Sequence, residues 1–569
     1  MFKKVLKLFQ VVFKFNDNKL KTLFIFSIIT ILLTAIFEVL VLLNISIIGS
    51  IGNETPIPGA SYLYLLIFFI SAAFFRVLQI YICHSFVYKI GARLSEKENK
   101  DFFFSEFSEI KKIHSAQYLK RYELINLVVN NVLNPVMILF SNFTIFSLML
   151  IVLFYQNFEL MFFAFMSILI FYGFTIFLIS PRLLRNSDKL SELNENKIYN
   201  LKESFQGVKE LYLSGYLSKY LQLFSENEMK LRNLQAMNLV YGASPRYMLE
   251  IFAVLGMVIY FTQDYYFNGP NPDLISALIP FGYAAIRILP ISQAIYSGWA
   301  SLKAHITIVD EVSKPLINIQ NQALRSNISS KINNYQYDKK MLLKISFMKA
   351  GYNKNTIIDC KDLVFDVGKP YLLKGQSGTG KTTFVESLMG LAKSDSKIEF
   401  INGNSIIKNT DSEWHHNFAY ASQQGFLTNT TIKENLSIFS SKFILDETIH
   451  ILLDKLNLYK IVNESGGINN ILLENGKNLS GGQRQRLSFA SVLLSDRPVL
   501  IFDEITSNLD DESATIIEEL IFEESKNKIC LFITHRKVYN HLSHNVYFEK
   551  LSLSNMENPI NKDNQDILT

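Results

Sequence analysis

The chain runs to 569 residues, 49 % of them hydrophobic and 46 of them Phe, with a formal net charge of +5. That length exceeds one hydrophobic core, and the apolar residues gather in the first half as long uncharged runs, which excludes a wholly soluble protein. The charge balance is small and its Lys and Arg lie in blocks beside apolar runs, so no nucleic-acid partner is expected.

In chain order, the N-terminal stretch MFKKVLKLFQVVFKF is basic and has no small-residue cleavage site beside it. It predicts an amphipathic segment on the cytoplasmic membrane face rather than a signal peptide. A membrane-crossing helix needs about 20 mostly apolar residues. Six stretches meet that requirement: Thr22 to Ile48, Ser61 to Tyr88, Leu124 to Phe158, Leu160 to Ser180, Met237 to Phe261 and Leu274 to Ala300. The third and fourth form a hairpin across the short polar turn at Tyr155 to Glu159. The third run is longer than a bilayer is thick and should continue into the cytoplasm. Lys3, Lys4, Lys7, Lys14, Lys19 and Lys21 precede the first span, and Lys89, Arg93, Lys111, Lys112, Lys120 and Arg121 separate the second from the third. The turns around Glu54, Glu159 and Asp264 to Asp273 hold no Lys or Arg. Because cytoplasmic flanks carry the excess of basic residues, the N-terminus, the loops after spans two and four and the C-terminal half are expected inside the cell.

Polar residues Ser313 to Lys339 read as a linker. From Lys340 onward short apolar runs alternate with helical stretches, an α/β pattern, and the last residues form a polar tail. The expected fold class is multi-domain: an all-α transmembrane domain of six helices over 1–312, a linker over 313–339, an α/β P-loop NTPase domain over 340–555 and a tail over 556–569. Cys83, Cys360 and Cys530 lie far apart without metal-ligand spacing and read as free thiols.

Gly375-Gln376-Ser377-Gly378-Thr379-Gly380-Lys381-Thr382 follows the apolar segment Pro370 to Lys374. Glycines at Gly375, Gly378 and Gly380 let successive N–H groups turn toward phosphates, and the next helix adds its positive N-terminal end. Ser377 and Thr383 belong to the same cradle; Lys381 is expected to reach the β- and γ-phosphates of ATP, and Thr382 to ligate Mg²⁺. Val499 to Phe502 is an apolar run suited to a buried parallel strand. Asp503 at its end is placed to hold Mg²⁺ through water, with Glu504 as the general base for the attacking water. In Leu479-Ser480-Gly481-Gly482-Gln483, Ser480 is a good N-cap and two glycines leave the first N–H groups of a helix open, which makes a second anion site.

A phosphate loop, then LSGGQ, then an apolar strand ending in Asp503-Glu504 resembles the ATP-binding cassette (ABC) proteins over residues 340–555. That resemblance implies that the signature of one subunit closes on ATP held by another. It also implies roles for further residues. Tyr352 takes the place of the aromatic that stacks on adenine. Gln423 in YASQQGF, or its neighbour Gln424, looks like the glutamine that contacts Mg²⁺ and senses the membrane domain. Ser507 to Asp510 resembles the loop after the catalytic strand, and His535 in ITHR the histidine that contacts the γ-phosphate. No catalytic position looks degenerate. His84, His114, His415 and His416 lack such a context and read as ordinary polar residues.

Six spans followed by one cassette is the layout of an ABC exporter half-transporter, which implies a homodimer with two ATP sites and one shared cavity in the inner membrane. Segments near His114 to Glu123 and Glu210 to Tyr220 are the expected coupling helices. Glu38, Arg76, Arg246, Glu250 and Arg287 fall inside spans, where each ionisable group costs about 2.5–3.5 kcal/mol on insertion. Arg246 and Glu250 are four apart and can pair, and Glu38 can neutralise one more arginine, yet the set sums to +1. SPRYMLE and AIRILPISQAI, with Glu38 and Arg76, resemble bacterial flippases of lipid-linked oligosaccharides. That implies a polyprenyl diphosphate cargo, for which a guanidinium is a bidentate host. The loop Gly49 to Ala60 is short and departs from that family in leaving no room for an extra lipid-facing helix. Export of a peptide, bacteriocin or hydrophobic drug remains an alternative within the fold, and an ATP-gated channel or regulatory membrane protein is the alternative of another class.

Overall fold

The computed structural model describes residues 17–51, 59–105, 107–156, 158–268, 273–314, 341–352, 355–376, 378–392, 394–411, 413–534, 536 and 543–548. The basic N-terminal stretch, most of the loop before the second span, the bulk of the linker, Ser377, His535 and the polar tail lie outside these residues. By its contacts the chain divides into two compact units, Met1–Phe103 with Lys112–Asn318, and Phe104–Lys111 with Ile319–Thr569.

The first unit is helical. Its helices are α1 (Asn18–Ile51), α2 (Gly59–Phe103), then, beyond the short α3 (Phe107–Ile110) that belongs to the other unit, α4 (Ser115–Val128), α5 (Asn134–Gln156) and α6 (Phe158–Gln206). They are followed by α7 (Val208–Leu213), α8 (Leu217–Asn268), α9 (Asp273–Ala304) and α10 (Ile306–Ser313). A π-helical turn, Val129–Leu133, joins α4 to α5. Among the described residues, four stretches, Asn18–Ile48, Ala60–Phe103, Ser115–Tyr155 and Ile168–Gln206, are long and apolar enough to cross a membrane. The fifth and sixth expected spans lie within α8 and α9, where residues 269–272 and many side chains between 252 and 285 are outside the described set.

These helices are built for an apolar surround. In α1 the hydroxyls of Ser27, Thr30 and Thr34 donate back to carbonyls three or four residues earlier, which satisfies them without water. One face of each helix packs inward, with Ile31, Leu42, Phe86, Ile90 and Ile125 nearly inaccessible. The other faces leave Phe74, Val77, Tyr81, Ile170, Phe174 and Phe177 exposed. An apolar surface of that extent is unfavourable in water and suits lipid.

The second unit has two sheets. Strands β1 (Leu342–Tyr352), β2 (Asn355–Asp366), β4 (Ser394–Asn402) and β5 (Ser405–Lys408) form an antiparallel sheet in the order β2-β1-β4-β5. Strands β3 (Tyr371–Gly375), β6 (Phe418–Ala421), β7 (Val499–Asp503), β8 (Ile529–Ile533) and β9 (His544–Phe548) form a second sheet in the order β6-β7-β8-β3-β9, with every pairing parallel. Strands β7 and β8 are buried along their whole length, as their unbroken apolar runs require when both faces of a parallel sheet are covered. On one face Ile345, Phe384, Phe400 and Ile501 join the sheets through α11 (Lys381–Leu388). On the other, Phe489, Phe502, Ile521 and Cys530 share a second core cluster, with the Phe489 and Phe502 rings 5.3 Å apart. Full burial of one such ring stabilises by about 1.5–3 kcal/mol. Short helices α12 (Ile432–Leu436), α13 (Asp446–Lys455) and α14 (Tyr459–Glu464) lead to α15 (Gly481–Leu493), and α16 (Asp511–Ser525) follows β7.

Segment Phe104–Lys111 groups with the second unit although it lies between two apolar helices in sequence, and the Lys111 ammonium stands 3.0 Å from the Glu386 carboxylate on α11. The His114 to Glu123 stretch expected as a coupling helix opens α4 in the first unit.

Candidate functional site

Strand order places the motifs together. Parallel strands β6, β7, β8 and β3 are neighbours, so their C-terminal ends deliver Gln423, Asp503-Glu504, the Thr534 end of the ITHR motif and the phosphate loop to one edge of one sheet. Open α/β sheets bind ligands at that edge.

The loop between β3 and α11 needs its glycines. Gly380 is the N-cap of α11 at φ 98°, and a Cβ there would lie 2.8 Å from Ile357 Cγ2. Gly378, at φ 82°, meets nothing within 4 Å, so the space beside it is open to a ligand. The Lys381 ammonium donates to the carbonyls of Gly375 at 2.6 Å and Gln376 at 3.1 Å, which folds it over the loop. Lys381 and Thr383 are buried and Thr382 is exposed.

Asp503 is 8 % exposed, and its Oδ2 accepts the Tyr420 hydroxyl at 2.9 Å. Burial raises its pKa, while the Tyr420 bond and the Lys381 charge pull it back. Tyr420 is itself raised by burial and by Asp503. Next along the chain, Glu504 adopts φ 49°, a left-handed conformation strained for a residue with a side chain. Its N–H donates to Ile533 O at 3.0 Å and its Oε2 accepts Gln423 Nε2 at 2.8 Å. Of the two adjacent glutamines, it is Gln423 that bonds Glu504. Gln485 Nε2 on α15 in turn donates to Gln423 O at 2.7 Å. The donor set of an exposed Thr382 hydroxyl, the second oxygen of Asp503 and the Gln423 amide is all hard oxygen, which fits Mg²⁺. The open glycine cradle and Lys381 fit a nucleotide phosphate.

The signature segment is capped from within. Ser480 Oγ accepts Gln483 N–H at 3.2 Å and Gln483 Oε1 accepts Ser480 N–H at 2.8 Å, a complete capping box at the start of α15. Gln483 is thereby committed to shaping the turn. A Cβ at Gly482 would lie a tight 3.1 Å from Leu509 Cδ2, whereas a Cβ at Gly481 would touch nothing within 4 Å. Asp510 caps α16 through Ser513 N–H at 3.0 Å, and that bond holds its carboxyl below the usual range. Tyr352 ends β1.

Sequence reasoning missed Tyr420 and Gln485. Tyr420 stands three residues before Gln423 and could have been noticed as a hydroxyl on a strand adjacent to the one ending in Asp503. Gln485 lies on the helix face two residues past Gln483 and carried no local signal. His415 Nδ1 lies 2.8 Å from Met389 O, an ordinary structural bond.

In the helical unit, Arg246 Nε is 2.7 Å from Glu250 Oε1, and Arg287 Nε is 3.5 Å from buried Glu38. Arg76 hydrogen-bonds the Asn142 side chain at 3.4 Å, and among the described residues no carboxylate lies within ion-pair distance of it.

Residues 361–507 match the ABC transporter family. The chain is 36 % identical over 162 residues to an uncharacterized ABC transporter ATP-binding protein of Haemophilus influenzae, a match covering 28 % of this chain and 29 % of that protein. It is 25 % identical over 344 residues to the ATP-dependent lipid A-core flippase of Dechloromonas aromatica, covering 59 % of this chain and 57 % of that protein. The matched stretches thus span less than two thirds of these relatives. Among solved structures, a bacterial Atm1-family ABC exporter with ATP bound superposes with a TM-score of 0.71 at 15 % identity over 94 % of both chains, a likeness of fold. Residues 361–507 thus form an ABC transporter domain, which follows a set of long apolar helices in a fold like that of the solved exporter.

Proposed function

We propose that the protein is an ATP-driven flippase of the inner membrane that moves a lipid-linked oligosaccharide, carried on a polyprenyl diphosphate, from the inner to the outer leaflet. Lys381, Gln423, Asp503 and Glu504 converge at one sheet edge in a chain whose other unit has an apolar exterior, and that convergence carries the proposal. MgATP supplies the free energy. Lys381 and the glycine loop hold the phosphates, Asp503 and Thr382 hold the ion, and Glu504, positioned by Gln423, takes the proton of the attacking water.

The working unit is a homodimer. Gly481 opens α15 to empty space, which suits approach by ATP held on a second copy. Phe205 near the end of α6 and Tyr212 and Leu213 in the last turn of α7 stand more than two-thirds exposed, apolar side chains suited to a partner surface. Arg76, once Glu250 and Glu38 have partnered the other arginines, leaves one guanidinium per subunit for a diphosphate.

The test is ATPase stimulation in lipid by polyprenyl-diphosphate oligosaccharide against hydrophobic peptides, with Arg76→Gln alongside. Selective stimulation by the glycolipid, weakened in the variant, supports the proposal. Equal responses unchanged by the substitution overturn it. Substantial cargo movement by Glu504→Gln would instead favour an ATP-gated channel.

A further inference from the structure

The helical unit contains a cavity of about 560 Å³ lined by residues of α4, α6, α8, α9 and α10 and of the turn after α4. Among the described residues, none of Glu38, Arg76, Arg246, Glu250 or Arg287 lines it, nor does any other Asp, Glu, Lys or Arg. Its polar wall is made of Asn131, Asn194, Gln235, Asn238, Gln293 and Ser297, and the rest is Leu, Ile, Ala and Gly with Ser301 and His305. His305 is the one titratable group there. It faces Ser301 O through Nδ1 at 2.9 Å, and burial depresses its pKa, so it too is neutral at neutral pH.

Some of these groups are spoken for. Gln293 Nε2 donates to Gly242 O at 2.6 Å, Asn238 Oδ1 accepts from Asn186 at 2.8 Å, and Gln235 accepts from Arg232 at 3.2 Å. The side-chain amides of Asn131 and Asn194, both half-buried, have no hydrogen-bond partner among the described residues. Each offers two donors and an acceptor to whatever enters.

The backbone is irregular on two sides of the cavity. Asn131 sits in the one π-helical turn among the described residues, and its carbonyl is satisfied by Ser301 Oγ from α9 at 3.0 Å. The turn is braced from behind, where a Cβ at Gly91 would come 2.6 Å from Val129 Cγ2. Across from it, α8 contains Pro245, which lacks the N–H that continues the helix. Single π turns cost helical geometry and recur where a helix aims side chains at a ligand.

We propose that this cavity is a binding site for an uncharged polyhydroxylated headgroup, a glycan, recognised by the amides of Asn131 and Asn194. A carboxamide pairs with neighbouring hydroxyls as donor and acceptor at once, whereas the described lining itself offers neither a cation nor a carboxylate for an ion to pair with. The site gives the sugar of a glycolipid a seat separate from any phosphate held at Arg76. It rests on the glycolipid reading above for its role in transport, but not for its chemistry.

The test uses the full chain in nanodiscs titrated with diglucosyl-diacylglycerol, and with phosphatidylglycerol as the anionic lipid without sugar. Trp299 packs against the lining residues Ala300 and Ala304 and is one of only two tryptophans, so its emission serves as the occupancy probe without turnover. The proposal expects a saturable emission change with the glycolipid alone, weakened about tenfold in Asn131→Leu with Asn194→Leu, as two lost hydrogen bonds would give. Asn194→Leu alone lies outside the π turn and should show a smaller loss of the same kind even if the double variant misfolds. No saturable change in the wild type, or equal titrations in wild type and variants, overturns the site. Loss of lipid-stimulated ATPase with the emission change intact overturns the transport reading and leaves the site standing.

Discussion

Tyr420→Phe removes one hydroxyl from the ATP site and leaves the ring packing in place. That hydroxyl donates to Asp503 Oδ2 at 2.9 Å, in a setting where burial already raises the carboxyl pKa. A hydrogen bond to a charged group contributes about 1.5–3 kcal/mol, so losing it raises that carboxyl's pKa further. The sign follows from linkage: with its folded pKa above the unfolded value, Asp503 favours the fold in acid and loses that contribution as pH rises through the folded pKa. The substitution extends that window upward. Mg²⁺ must displace the added proton, so half-saturating Mg²⁺ for ATPase should rise about tenfold or more in mildly acidic buffer and return toward wild type in alkaline buffer. Superimposable Mg²⁺ titrations at both pH values would refute the reasoning and reduce Tyr420 to a packing residue.

Arg287→Ala leaves Glu38, 4 % exposed, without its ion-pair partner. Thermal unfolding should drop and be largely restored by adding Glu38→Gln, with a coupling of about 0.5–3 kcal/mol; additive losses would contradict the pairing. Arg536 bridges Glu518 at 3.3 Å and Asp511 at 2.9 Å beside the expected switch position. Burial raises the Glu518 pKa and Arg536 lowers it, so Arg536→Ala leaves that carboxyl protonated to higher pH. Its stability loss, up to about 3 kcal/mol, should be greater in alkaline than in acid buffer, because a raised folded pKa favours the fold only below it. Equal losses at the two pH values would count against this.

The ATP site was legible because its chemistry is local. Gly378, Gly380, Lys381, Asp503 and Glu504 are defined by spacing and by the strand before each motif, and the sheet order needed only to bring the ends together. Arg246 with Glu250 was equally legible, since four residues on a helix is contact distance. The partner of Arg287 was not: Glu38 lies on another helix, and helix-to-helix register is a packing outcome. The amide cavity was invisible for the same reason. Asn131 and Asn194 belong to different helices, and a π turn, which has no composition signature, decides which way Asn131 faces. Tyr420 and Gln485 were missed because each acts on a residue reached only through the sheet or the domain core.

The central claim is that ATP is closed between two chains, and Gly481→Ala tests it most directly. A Cβ at Gly481 meets nothing within 4 Å in the single chain, and alanine at a helix position is more favourable than glycine by up to about 1 kcal/mol. The melting temperature should therefore hold or rise. ATPase turnover of the purified protein in lipid should nonetheless fall at least about a hundredfold, or about 2.7 kcal/mol in the barrier, because the methyl occupies the space that the partner's phosphate must enter. Turnover near the wild-type rate, with the fold unchanged, would contradict a composite site.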